Sequence, residues 1–260
     1  MSARAPAYET RRVPPLGGFN LTFLFLEVRR LLRNRRTLIF TLVLPLLFFF
    51  LFKSSKRLQS AGGADIAAST MIGIAVYGAM IAATSGGAMV SVERALGWSR
   101  QLRLTPLRPP AYIAIKLLTA MFLGLLSVVS VVVVGAASGI QIQTETLLVS
   151  ALLAWVGAFV FAAFGLFMGY LLPSENVMQI IGPVLAVFGF FGGLFVPVAL
   201  LPSAIQDLAP FMPTYGVAQI ARYPLMGGDF DWTWIFGAVL WTLVFAAGAA
   251  VLFRRDTRRA

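Results

Sequence analysis

The 260-residue sequence offers few side chains that can do chemistry. It has no histidine, the commonest general base and metal ligand. It has no cysteine either, which excludes thiolate metal sites and disulfide redox chemistry. Its lysines are Lys53, Lys56 and Lys116, and none follows a glycine. A phosphate-binding loop needs a Gly-Lys pair, so that the ammonium can reach the β- and γ-phosphates from a glycine-rich turn. This sequence is therefore not a P-loop ATPase by itself. No acid–base pair or metal cluster stands out.

What remains is a charged, proline-closed stretch, Ser91–Pro110 (SVERALGWSRQLRLTPLRPP), between two long apolar runs. On a helix beginning near Ser91, residues Val92, Ala95, Leu96, Trp98 and Leu102 form a broad apolar side. Glu93, Arg94, Arg100, Gln101 and Arg103 take the rest, and Thr105-Pro106 stops the helix by forcing the residue before proline out of helical geometry. A short helix held between two spans can pass a push to both. An ordinary cytosolic loop carrying arginines fits the same composition, and both readings stay open on residues alone.

The elements that must position this stretch are apolar. Hydrophobic residues make up 59% of the chain and charged ones 12%, where a soluble domain is nearer one quarter charged. Mean hydropathy is +0.85. Runs of about 20 apolar residues recur, each long enough to cross a bilayer as a helix. The expected fold class is an all-α polytopic membrane protein. The net charge of +11 would point to nucleic acid in a soluble chain. Here the placement of the charges explains it, and no nucleic-acid partner is expected.

Residues 1–18 lack the apolar core of a signal peptide and read as a cytosolic tail. In 19–36, Leu21, Leu24, Phe25, Val28, Leu31 and Leu32 share one helical face, with Glu27, Arg29, Arg30, Arg33, Arg35 and Arg36 on the remainder. That pattern predicts an amphipathic helix in the headgroup layer, its arginines toward anionic lipid. A cytosolic extension of the first span is the plainer alternative.

A six-span transmembrane domain is expected over 37–253, with spans at about 37–52, 66–90, 112–137, 146–172, 176–196 and 232–253. Pro45 lies inside the first, and a polar loop is expected over 53–65. The second is rich in glycine, alanine and serine, which lets helix backbones approach closely in lipid and places it among other helices. The hinge occupies 91–110, and 254–260 is a tail. Between spans five and six, residues 197–231 carry Pro197, Pro202, Pro210, Pro213 and Pro224. Proline at that density forbids one long helix and predicts two short ones, near 203–209 and 214–223, in a re-entrant or external segment. Of the 21 basic residues, 17 fall on the side of the termini and hinge and 4 on the other. The positive-inside bias then puts both termini in the cytosol of a plasma or inner membrane.

No acidic or basic residue is expected deep in a span. Ion-coupled carriers place such groups near the midplane, although backbone carbonyls can also bind sodium. An ion-coupled carrier or channel is the alternative function, and an embedded enzyme or scaffold a third. Tyr77, Thr84, Ser85 and Ser127 are the polar groups of an otherwise apolar interior, more often helix–helix contacts than ligands.

Glu93-Arg94, Gly97, Leu102, Leu104, Thr105, Pro106, Leu107 and Arg108 resemble the cytosolic loop of type-2 ABC exporter permeases. A second stretch is similar to that family's segment after the fifth span. It comprises Gly192, Gly193, Leu194, Phe195, Val196, Pro197, Leu201-Pro202, Leu208-Ala209-Pro210, Pro213-Thr214-Tyr215 and Arg222. Asn176 and Gln179, opening the fifth span, also fit. The chain departs from the family where Glu-Arg-Glu-x-Gly becomes Glu93-Arg94-Ala95-Leu96-Gly97, and in having Leu201 before proline.

The resemblance implies a transport subunit with no ATPase site of its own. ATP and Mg2+ would sit on a partner ABC ATPase, two copies of which would serve two permease halves, identical or related. The substrate expected is an amphipathic drug-like molecule, lipid or glycoconjugate leaving the cytosol. Glu93, Arg94, Gly97, Trp98, Leu102, Leu104, Thr105, Pro106 and Leu107 would couple to the ATPase. Gly193, Phe195, Pro197, Pro202, Pro213 and Tyr215 would form an external gate. Tyr77, Thr84, Ser85, Asn176 and Gln179 are the candidates for the substrate path.

Overall fold

A computed structural model describes residues 18–54, 56–97 and 109–259, with side chains for all of these except 36, 56–65, 109 and 256–259. Helix α1 (Leu21–Arg33) starts at Asn20, whose side chain accepts a hydrogen bond from Thr22 N at 2.8 Å. It stops at Asn34, and the same residue caps α2 (Arg35–Lys53) by accepting from Thr37 N at 3.3 Å. Asparagine suits this double duty because its carbonyl oxygen satisfies orphan N–H groups while its own backbone leaves the helix. The chain bends there by 64°.

Helix α3 (Lys56–Ala95) is the spine. Its Ile66–Ala95 portion has 83% of its most apolar window buried, the largest share of any candidate span. The glycines read from the sequence as close-packing residues do that here. A Cβ on Gly86 would fall 2.7 Å from Ala120 of α4 (Pro109–Ala137). One on Gly87 would fall 2.7 Å from Ala162 O of α6 (Phe159–Leu171), and one on Gly78 2.9 Å from Pro45 of α2. Helices α4 and α6 thus meet α3 nearly backbone to backbone, and α2 meets it through the Pro45 ring.

Helix α5 (Thr144–Gly157) runs into α6 through a slight break at Ala158, the two forming one candidate span over Thr144–Leu171. Helix α7 (Ser174–Phe191) follows the short connection expected at 173–175. A 3-10 turn (Val198–Leu200), α8 (Ser203–Leu208), another 3-10 turn (Ala209–Phe211) and α9 (Pro213–Met226) make up the proline-broken segment. The two short helices expected near 203–209 and 214–223 are present. Helix α10 (Trp232–Arg259) begins after Asp231, whose Oδ1 accepts from Thr233 N at 2.9 Å. Hydrogen bonds from Thr233, its side chain first and its backbone N–H second, hold the Asp231 carboxyl below the usual carboxylate range.

The architecture is all-helical, with five helices long and apolar enough to cross a membrane, or six when the bent pair α1–α2 counts as one span. Three local readings differ from the sequence expectation. Residues 56–65 are helical rather than a polar loop, so α3 begins some ten residues early. Ser91–Ala95 continue α3 instead of starting a separate hinge helix, because nothing breaks the ladder before Gly97, which takes φ +72°. Span five ends at Phe191 rather than 196, since Gly193 also adopts φ +72° and turns the chain.

Candidate functional site

Two constellations lie along α3, one at its C-terminal end and one around Ser69–Tyr77. At its C-terminal end, Glu93 is buried, and its carboxylate is fully engaged within the chain. Glu93 Oε1 accepts from Lys116 Nζ of α4 at 2.5 Å and from Arg30 Nη2 of α1 at 2.5 Å. Tyr112 Oη of α4 donates to Oε2. Lys116 Nζ also donates to Glu27 Oε2 of α1 at 2.9 Å, and Arg30 reaches the same oxygen at 3.2 Å. Two carboxylates and two cations therefore balance in a knot joining α1, α3 and α4. Three of the four charges are buried: Glu27 is 5% exposed, Glu93 4% and Lys116 3%.

Arg94, the next residue, points the other way. Its Nη1 donates to the Gly169 and Tyr170 carbonyls of α6, at 3.1 Å each, and its guanidinium lies 5.5 Å from the Tyr170 ring centre. Val90, Tyr112, Leu166, Tyr170 and Ala249 form a small core alongside. The Glu-Arg pair thus fastens the last turn of α3 on two sides at once. Beyond it lies Gly97, at positive φ, and among the described residues nothing lies within 4 Å of a Cβ placed there. Trp98, Leu102, Leu104, Thr105, Pro106 and Leu107 lie outside the described residues.

Charge is buried near the ends of two spans, short of the deep positions where none was expected. Lys116 sits seven residues beyond the start of α4, and Glu93 lies two residues before the end of α3. Both are tolerated because opposite charges and hydrogen bonds meet them, where an unpaired ion costs several kcal/mol. Sequence reasoning assigned Glu27 to the polar face of α1. A signal was present: Glu27 stands three residues after Leu24 and four before Leu31, so it shares the face on which Leu31 is buried.

The other constellation gathers around Phe195. Its ring centre lies 4.6 Å from that of Tyr77, 5.2 Å from Phe48 and 5.3 Å from Phe52, the last stacked at 9°. Gly193 and Leu194 precede it, and both carbonyls are held by Arg222 of α9, Nη1 to Gly193 O at 2.8 Å and Nη2 to Leu194 O at 2.9 Å. Arg222 Nε donates to Ser69 O of α3 at 3.0 Å. Helix α9 does not span, and burial pushes the Arg222 guanidinium down to about 10, so it stays charged at neutral pH. Pro213 is buried at the first turn of α9, Pro197 precedes the first 3-10 turn half-buried, Tyr215 is half-buried and Pro202 is exposed.

Between the two constellations lies a cavity of about 490 Å3, lined by α2, α3 and α7 with Leu31 of α1 and Leu123 of α4. Tyr77 and Ser85 line it, with Thr37 and Thr41, and no carboxylate, ammonium or guanidinium does. Thr84 is turned away, donating to Phe161 O at 3.2 Å. Asn176 and Gln179 are exposed on α7 and do not line it; Met178, Ile181, Gly182 and Leu185 of that helix do. Among the described residues no cluster of potential metal ligands forms.

The ABC-2 type transporter family matches residues 21–226, and the chain belongs to that family. It is a multi-pass permease subunit of an ABC-2 type transporter. The chain is 24% identical over 222 residues to the protein named "Putative transport permease YvfS" of Bacillus subtilis (strain 168), covering 84% of this chain and 90% of that one. The ABC-2 membrane domain is the transmembrane subunit and holds no ATPase domain; such permeases pair with ABC ATPase subunits.

Proposed function

We propose that this permease exports an uncharged or amphipathic molecule, of drug-like, lipid or glycoconjugate type, with power from two copies of a separate ATPase. It works beside a second permease half, and ATP with Mg2+ binds on the ATPase. Both termini and the segment 98–108 face the cytosol, and α1 lies at the lipid headgroups. The charge-free cavity lining supports an apolar substrate, with the Tyr77, Ser85, Thr37 and Thr41 hydroxyls as its few polar contacts. Phe195 closes the external end over Tyr77.

The observation that carries the coupling reading is the charge knot. A push on 98–108 from a closing ATPase meets the ends of α3 and α4, and Glu93 and Lys116 tie those ends to α1. Glu93 and Arg94 then act as positioning residues that make three helices move together, while Trp98, Leu104, Thr105, Pro106 and Leu107 are the contact residues for the ATPase. The test is to purify the chain with its ATPase from cells and measure hydrolysis and transport together. ATP turnover should depend on the permease. Trp98→Ala and Glu93→Ala should leave hydrolysis but lower transport; wild-type coupling in both would remove the hinge from the mechanism.

A further inference from the structure

Arg222 is the largest fully buried side chain of the described residues, at 1% exposure. Among the described residues no carboxylate pairs with it; its three bonded nitrogens all donate to backbone carbonyls. Burying a guanidinium costs several kcal/mol unless strong hydrogen bonds replace water. Those bonds go to one particular kind of acceptor. Gly193 and Leu194 lie in the non-helical turn after α7, where Gly193 at φ +72° breaks the helix. Carbonyls outside a helix and away from water need a donor from elsewhere. The fork of Arg222 gives one nitrogen to each of two successive carbonyls, and a lysine cannot supply that planar, paired geometry.

The approach is tight. A Cβ on Gly73 of α3 would run into both Leu194 O and Arg222 Nη2. Glycine at 73 is what lets the turn and the guanidinium lie directly on α3. Leu194 is bonded to Arg222 and is itself fully buried, and the next residue is Phe195. The position of the Phe195 ring on Tyr77, Phe48 and Phe52 is therefore set by a backbone turn that Arg222 fixes from α9 and anchors to Ser69 of α3.

We infer that Arg222 is the positioning residue of the external closure: its guanidinium holds the Gly193–Leu194 turn so that Phe195 stays across the end of the cavity. This rests on Phe195 being the closure. The chain has no cysteine, so a single Ile81→Cys in the cavity wall gives one reporter site. The full chain with its ATPase is placed in lipid nanodiscs and labelled with a charged maleimide.

Phe195→Ala should speed labelling of the cysteine at 81 about tenfold, and Arg222→Gln by a similar factor, the size of one lost charge-assisted bond. The double variant should label no faster than either alone, because both open the same closure. Arg222→Lys, which keeps the cation, should fall between. Gly73→Ala keeps the arginine in the sequence but pushes its guanidinium and the Leu194 carbonyl off α3; it should also accelerate labelling, which keeps the test available when Arg222 variants do not accumulate. If Phe195→Ala labels faster and Arg222→Gln, Arg222→Lys and Gly73→Ala do not, the positioning role is overturned while the gate stands. If Phe195→Ala changes nothing, the gate reading fails, and the inference with it.

Discussion

Lys116 and Glu93, 23 residues apart, are joined Nζ to Oε1 at 2.5 Å, across the foot of the two helices that flank residues 98–108. Each is buried, and each also bonds α1 or its neighbours, so neither charge has water to fall back on. Glu93→Gln alone should therefore leave Lys116 and Arg30 under-compensated and cost about 3–5 kcal/mol. Lys116→Met alone should cost a similar amount. The double variant restores charge balance around Glu27 and Arg30 and should be more stable than either single one. Thermal unfolding in detergent reads the order directly; simple additivity of the two losses would show that the pair is not coupled.

That knot also marks where sequence reading stopped. Span order, the bent entry through α1, the buried glycine-rich second span and the two short helices between Pro202 and Gly227 were legible, because each is written in a local run of residues. Glu27, Glu93 and Lys116 are separated by 66 and 23 positions, and no periodicity within one helix reports which of them meet. Lys116 is one of the 17 basic residues on the side of the termini and hinge, and position alone says nothing of its burial. The hinge start was misplaced for a related reason: charges at Glu93 and Arg94 resemble solvent-facing residues, yet here each is a bond to a neighbouring helix. Arg222 is one of the 4 basic residues on the side away from the termini, yet it is shut inside the protein and holds carbonyls.

Gly97 gives a second prediction. At φ +72°, with nothing among the described residues within 4 Å of an added Cβ, the backbone limits what stands there. Asparagine tolerates this region and β-branched residues do not. Gly97→Asn should keep transport coupled to hydrolysis, whereas Gly97→Val should redirect the chain leaving α3 and lower transport per ATP several-fold. The ratio of substrate moved to phosphate released is the measurement, and equal ratios for both variants would refute it.

Sidedness is open to the same cysteine-free background. Gln141, Asp229 and Glu175 are all exposed. Single cysteines at 141 and 229 should react with an impermeant maleimide in intact cells, and one at 175 only after permeabilisation. The reverse pattern would invert the proposed orientation.

Helix packing supplies a fourth. Gly87→Ala puts a methyl against the backbone of α6 and should destabilise by about 1–3 kcal/mol. Gly237→Ala, where nothing lies within 4 Å, should be neutral or stabilise α10 by up to about 1 kcal/mol. Melting temperatures of the two variants should move in opposite directions or at least differ in that order.

Ser69 and Glu93 belong to one unbroken helix, α3, 24 positions apart, a distance of about 36 Å along its axis. Its neighbours carry interruptions: α2 and α7 each contain a proline, and the α5–α6 span breaks at Ala158. An intact rod needs no relay of side chains to carry displacement, because tilting its foot swings its head. In the proposed cycle the turn that Arg222 ties to Ser69 is then the far arm of a lever whose near arm is Glu93. The small residues along α3, which let its neighbours lie so close, also supply the bearing surface on which such a lever turns.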